Sequence, residues 1–442
     1  MILSPNRLCF GHYLRQTGCG VKKYVSLGSN GRKLHKAEGL TVQTLRVIAA
    51  ALMVAALTFT ASQSSFATAP SPDSTFVVGD WAEAETPSKV ELEDLRDVAD
   101  SLGISVEAAI AKFSGQELFA AAVDEIRAQH AQAFATALWI GGNEIPASIA
   151  FAGAPDPRAL DRVAALPFPV EVRVDAFASE IDLIAAQIAA RDAVGSTPGI
   201  DLAESEIDTT TGSISVIYSL GSTLTKAEVV AIVEAAIRIK LGTPLPKGAV
   251  SVRAGIVNKP TETAIVGGNS LGGCTAAFAI TSGGVPGIAT AAHCANGNYS
   301  YGGSTATYKA QSSPSSGDVQ WHQVGAAVTN KFRYTPSGGE RSVTSTSNPT
   351  SGSAICYLGK TTGNNCGTVS TINYCDSAGY CLLFRSGPSR VDLGDSGGPW
   401  YFGNVAKGVT RGFLTSGGAR VDDIATRVGA LNLLNTVVKT AP

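Results

Sequence analysis

The chain has 442 residues, 44% hydrophobic and 16% charged, with a formal net charge of -2. That length exceeds one ordinary domain, and that composition excludes an intrinsically disordered chain. The near-neutral total hides a division: residues 1–69 carry eight Lys/Arg against one acid, residues 70–263 carry 14 against 28, and residues 264–442 carry 12 against 7. An acidic middle beside a basic C-terminal part suggests two domains that attract each other.

In chain order, the one long apolar run is Val47 to Phe59, just after Arg46 and shortly before Ala67, Thr68 and Ala69. A basic flank, a short apolar stretch and an A-x-A site together read as a secretory signal. The run is too short for a comfortable membrane span, although an uncleaved anchor is the alternative. Residues 1–69 are therefore a basic extension plus signal. Residues 70–85 hold Pro, Ser and Thr and read as a linker. Residues 88–137 have helical spacing at Leu92, Leu95, Leu102, Ala109 and Phe113. Val170, Val172 and Val174 alternate with charges and predict a strand. A helix over Ile181–Arg191, a strand over Ile214–Tyr218, a helix over Lys226–Ile239 and a strand over Ala249–Ile256 complete a small α+β unit, 70–263, in two lobes. It carries no chemical constellation.

Composition shifts near residue 262. Residues 264–442 are rich in Gly, Ser and Thr, with short β-branched runs and frequent turn signals, which predicts an all-β barrel or sandwich. The tail Ile424–Val438 reads as helical. Six of the eight cysteines, Cys274, Cys294, Cys356, Cys366, Cys375 and Cys381, fall in this part. An even set in one such domain reads as three disulfides and an oxidising compartment. No pair has C-x-x-C spacing, so no metal site is expected.

Two motifs carry chemistry. One is Thr290, Ala291, Ala292, His293, Cys294; the other is Gly394, Asp395, Ser396, Gly397, Gly398, Pro399. A serine hydroxyl is a poor nucleophile unless a base sits within hydrogen-bond reach, and imidazole has a suitable pKa. The imidazole needs an acid on its far nitrogen. Between His293 and Cys356 the acids are Asp318 and Glu340; Asp318 precedes an apolar strand and completes the predicted triad His293, Asp318, Ser396. Glycines around the serine let the amides of Gly394 and Ser396 converge on an oxyanion. His322 is the other histidine of this part, expected to pack or face solvent. The order His, Asp, Ser excludes an α/β-hydrolase, whose histidine follows its serine, and a subtilisin, whose order begins with Asp.

Residues 264–442 resemble the bacterial chymotrypsin-like proteases of the streptogrisin and α-lytic protease kind. The resemblance rests on Ile265 to Gly268, Thr290 to Cys294, Asp318, Thr361 to Gly363 with Cys366 to Thr368, and Gly394 to Pro399. It implies a double six-stranded β-barrel with the triad in the cleft, preceded by a small α+β proregion that assists folding and is then removed. It also implies the pairs Cys274–Cys294 and Cys356–Cys366, which leaves Cys375–Cys381 as a local pair unlike the family's usual third bridge. Two further departures stand out. Tyr357 replaces an Arg that relatives use to neutralise the Asp beside the nucleophile. The substrate strand, usually Ser-Gly or Ser-Trp-Gly, matches Thr410, Arg411, Gly412 without a gap, making Arg411 and Gly412 the candidate substrate-binding residues, while Thr415, Ser416, Gly417 fits with a small insertion.

The expectation is a secreted, monomeric serine endopeptidase made as a zymogen, with protein or peptide substrates and its own proregion as partner. No cofactor, nucleic-acid partner or stable membrane association is expected. The pocket near Arg390 and Arg411 is expected to be apolar and glycine-lined, with cleavage after apolar residues. Maturation is expected within 260–265. The rival reading is a catalytically silent secreted homologue acting as a binding protein.

Overall fold

The computed structural model describes residues 75–441 apart from 83–85, 143, 220–223, 256–269, 272, 302–303 and 326. The signal-like segment and the 260–265 junction lie outside the described residues.

The acidic middle folds as two α/β lobes. In the first, residues Thr75–Val78, Val170–Arg173, Ala147–Phe151 and Phe134–Trp139 form a four-stranded sheet in that order. Its first strand lies in the predicted linker, and its last occupies positions where helical spacing had been read to residue 137. The helical stretch instead breaks into Lys89–Leu102, Val106–Phe113 and Gln116–Gln129. Each break has a local cause. Ser88 and Glu91 make a reciprocal capping box that opens the first helix, and Gly103 closes it at φ 66°. Ser105 caps the next through the Ala108 amide. The second lobe packs helices Glu180–Gly195 and Lys226–Leu241 on a sheet of Ala203–Ile207, Ile214–Ser219 and Val250–Gly255.

The basic part is built of β-strands. A six-stranded sheet runs Tyr299–Tyr301, Ser304–Gln311, Gln320–Val324, Val285–Thr290, Ala279–Ser282 and Val437–Val438. In the second sheet Val405–Ser416, Pro399–Phe402, Ala354–Gly359, Gly363–Tyr374, Leu383–Gly387 and Ala419–Arg427 follow one another, and Ala419–Arg427 pairs back onto Val405–Ser416, which closes a six-stranded barrel. The predicted helical tail is instead the end of a strand, a 3-10 helix at Val428–Leu434 and the short strand Val437–Val438. Its apolar residues are spaced to serve the core, with Val428, Ala430 and Leu431 buried. The three disulfides are Cys274–Cys294, Cys356–Cys366 and Cys375–Cys381.

The core of the first lobe is continuous with that of the β part: Leu95, Phe119 and Trp139 belong to one cluster with Phe278, Leu358 and Tyr401. Around it, acids of the middle meet bases of the C-terminal part. Asp94 and Glu93 pair with Arg341, Glu117 with Lys407, Glu180 with Arg427 and Glu206 with Arg385. The second lobe makes a backbone pairing as well, with Ser205 and Cys375 exchanging amide hydrogen bonds.

Candidate active site

The first sheet supplies His293, just past its strand Val285–Thr290, and Asp318, just before its strand Gln320–Val324; those strands are hydrogen-bonded neighbours. His293 Nδ1 lies 2.6 Å from Asp318 Oδ2, and the His293 backbone amide donates to Asp318 Oδ1 at 2.9 Å. Asp318 is in turn held by its own amide, which donates to Thr426 Oγ1 at 3.0 Å. On the other side, His293 Nε2 is 2.9 Å from Ser396 Oγ. Asp318 and Ser396 are fully buried. Burial alone would push the Asp318 carboxyl up, but the His293 charge and hydrogen bond, and the Arg411 charge, hold it below the usual carboxylate range.

The turn bearing Ser396 leads into a strand of the closed barrel and is clamped by Thr275, in the short strand Cys274–Thr275. Thr275 Oγ1 donates to the Gly394 carbonyl at 2.9 Å, and the Thr275 amide donates to the Ser396 carbonyl at 2.7 Å. Cys274, its neighbour, is tied by disulfide to Cys294, beside His293. One staple thus links the base to the segment that holds the nucleophile turn. Within that turn the amides of Asp395, Gly397 and Gly398 donate to Asp392, Thr410 and Asp395 carbonyls. Among the described residues no hydrogen bond engages the Gly394 or Ser396 amide. Gly394 has φ 104°, a conformation that L side chains rarely adopt. These two amides are the donor pair the sequence singled out.

Asp395 finds neutral partners instead of the missing arginine. Its Oδ1 accepts from the Thr361 amide at 2.7 Å, and its Oδ2 from Thr362 Oγ1 at 2.7 Å and the Asp392 amide at 2.8 Å. Tyr357, which stands where the arginine was expected, hydrogen-bonds Thr362 Oγ1 at 3.1 Å and so acts one residue removed. Burial raises the Asp395 pKa, and these donors oppose it. Gly359 makes room: a Cβ there would fall 2.3 Å from Asp395 Cγ. Sequence reasoning missed Thr275 and Thr362, although the Thr361-to-Gly363 motif was itself a signal.

Arg411 points into the protein. It is fully buried, with Nε 3.3 Å from Asp318 Oδ2 and 3.2 Å from Asp376 Oδ2. The local reason is strand alternation with a register shift between Thr410 and Gly412, which turns the side chain toward the base of the triad. Gly412 is buried opposite Ile424, and Arg390 is exposed. His322 packs between the rings of Tyr299 and Tyr308, at 5.2 and 5.8 Å, away from the triad.

Two β-sheets that meet at a His–Asp–Ser series, one of them a closed barrel, are the fold of a chymotrypsin-like serine protease. No family model matches the chain. Streptogrisin-C of Streptomyces griseus is 31% identical over 153 residues, which is 33% of this chain and 33% of that protein. The chain therefore spans only about a third of that relative's length. Glutamyl endopeptidase 2 of Streptomyces griseus is 32% identical over 158 residues, 34% of this chain and 82% of that protein. A solved structure of the Nocardiopsis protease NAPase aligns at 27% identity, covering 40% of this chain and 98% of that one, with a TM-score of 0.34. The chain belongs to the bacterial chymotrypsin-like serine proteases of the streptogrisin kind.

Proposed function

We propose that the chain is the precursor of a secreted serine endopeptidase, residues 264–442, made with a folding-assistant proregion, residues 70–263. The observation that carries this reading is the series Ser396 Oγ, His293 Nε2, His293 Nδ1, Asp318 Oδ2, with steps of 2.9 and 2.6 Å. Ser396 attacks the scissile carbonyl while His293 takes its proton. The tetrahedral oxyanion is met by the Gly394 and Ser396 amides, a donor pair of which each member is worth about 10²–10³-fold in rate. His293 then passes the proton to the leaving amine, and an acyl-enzyme on Ser396 is hydrolysed by water. Asp318 keeps the imidazole in the required tautomer and offsets its charge. Gly412, on the strand Val405–Ser416 that pairs with the one after the nucleophile turn, is the residue we assign to the substrate backbone.

Cysteine use supports an oxidising destination. Among the described residues no helix is long and apolar enough to cross a membrane. The proregion reading draws support from the paired acids and bases between the two parts. A β-rich domain with many non-local pairings folds slowly, and a partner encoded just upstream can speed it. Residues 264–442 produced alone should yield little active enzyme. Adding residues 70–263 as a separate chain should rescue it, more slowly as salt rises toward about 1 M.

The direct test is labelling of the mature fragment by a fluorophosphonate, with N-terminal sequencing. The reading requires labelling that vanishes in Ser396→Ala, and a new N-terminus within 260–265 that this variant does not generate by itself. An intact wild-type fragment that resists the label would sink it.

A further inference from the structure

Arg411 stands where the family's substrate strand carries serine, and Cys375–Cys381 replaces the family's usual third bridge. These two departures meet in one place. Arg411 Nε is 3.3 Å from Asp318 Oδ2, the same oxygen that faces His293 Nδ1, and 3.2 Å from Asp376 Oδ2. Asp376 opens the loop that the Cys375–Cys381 disulfide closes. Its Oδ1 accepts from the Tyr380 amide at 2.9 Å, and its own amide donates to the Tyr380 carbonyl at 2.8 Å. The Tyr380 ring lies against the Arg411 guanidinium, 4.4 Å from Cζ to centroid. Arg411, Asp318 and Asp376 are all fully buried.

Charges in such a place persist only when paired. Arg411 alone beside Asp318 would cancel the negative charge that an imidazolium needs. Asp376 restores it: the three groups sum to one negative charge, as a lone triad aspartate would. Resting on the protease reading above, we infer that Arg411 is a positioning residue for the triad, which fixes the Asp318 carboxylate against His293 while the disulfide-closed loop supplies Asp376 to keep the charge balance. The guanidinium acts through Asp318 and touches neither substrate nor the reacting atoms. It meets both carboxylates through Nε, whose N–H donates to Asp376 Oδ2, so a rigid planar group holds the charge at a fixed place beside Asp318, which a flexible ammonium does less well. The charged groups that face Asp318 are His293 and Arg411. Those that face Asp376 are Arg411, Asp318 and the Tyr374 phenol, itself donating to Glu204; the Tyr380 ring stacks on Arg411, and Arg191 reaches Cys381 at the far end of the loop.

The inference separates from a merely structural role by sign. Removing the cation leaves two carboxylates under the imidazolium and stabilises it; removing Asp376 leaves an unbalanced cation and destabilises it. The experiment expresses the full chain, recovers the matured enzyme, and records the pH profile of kcat/KM for Arg411→Gln, Asp376→Asn and Arg411→Lys. Imidazole titration of each is followed by NMR. The acid limb of Arg411→Gln should move to higher pH and that of Asp376→Asn to lower pH, each by about half a unit or more. Arg411→Lys should keep the wild-type limb, with kcat down about tenfold and KM unchanged. Shifts in the same direction, no shift, or a rise in KM with kcat unchanged would each overturn the inference. If Arg411→Gln yields no folded protein, Asp376→Asn and Arg411→Lys decide the matter between them. A wild type that hydrolyses nothing would instead remove the protease reading, and the NMR titrations would still judge the coupling of Arg411 and Asp376 to His293.

Discussion

Asp318 and Asp395 are two fully buried carboxylates on opposite sides of one site, and they are stabilised in different ways. Asp318 sits among charges, His293 and Arg411, and is held below the ordinary carboxylate range. Asp395 sits among neutral donors, the amides of Thr361 and Asp392 and the Thr362 hydroxyl, and burial raises it. A carboxylate that must answer a charge forming during the reaction is given charged partners. One that only pins a turn is served by fixed dipoles. The linkage follows. Asp318, depressed, lends stability present at neutral pH and lost on acidification through its folded pKa, whereas Asp395, raised, favours the fold less as pH climbs through its own.

The sharpest way to break this comparison is to neutralise each carboxylate without changing its shape. Asp318→Asn should lower kcat by about 10³–10⁴-fold, since the imidazole then takes the wrong tautomer, and Ser396→Ala or His293→Ala should cost at least ~10³-fold. Asp395→Asn should leave activity within about tenfold of wild type, its cost appearing as stability of about 1–3 kcal/mol from donors left unmatched. Equal losses of kcat in the two Asn variants would erase the distinction. Next in size, Gly359→Ala places a Cβ 2.3 Å from Asp395 Cγ. The turn must shift, and activity should fall about 10²-fold with the fold retained, which steady-state kinetics beside circular dichroism would check.

A smaller effect extends the comparison to a group outside the site. His322 is buried between two tyrosine rings, and burial pushes it down to about 4. The unfolded chain binds a proton near pH 6.5 that the folded chain refuses until about pH 4, so stability should fall across that window by about 3 kcal/mol. His322→Phe should flatten that fall, as read by urea unfolding of the precursor at pH 7 and pH 4.5. An unchanged slope would mean that His322 does not resist protonation. At the interface, Asp94 accepts from Arg341 at 2.8 Å and is raised to about 7, chiefly by burial. Asp94→Ala leaves Arg341 with the partly exposed Glu93 and should weaken association of added 70–263 with the matured 264–442 fragment recovered from the full chain, measured by calorimetry.

What the sequence made legible was the chemistry and the local periodicity. His293, Asp318 and Ser396, which the structure brings into one hydrogen-bonded series, could be picked out because the roles proposed for them restrict residue type and order. The helices after Ser88 and over Lys226–Leu241 could be read because apolar spacing within a helix is local. Arg411 could not, because its partner Asp376 lies 35 residues away in sequence on another loop, and a cation on a predicted substrate strand looks identical whether it faces water or the triad. The tail after Ile424 misled for a related reason. Val428, Ala430 and Leu431 are spaced for burial, but tertiary packing decides whether that burial is met by a helix or by a 3-10 turn between strands.

The strand Val437–Val438 has a consequence in time. It completes the first sheet by pairing with Ala279–Ser282, yet more than 150 residues separate the two in sequence. On the ribosome the first sheet must therefore remain one strand short while the whole second barrel is synthesised. Throughout that interval the two α/β lobes, translated earlier, are already available as a surface on which the unfinished sheet can wait.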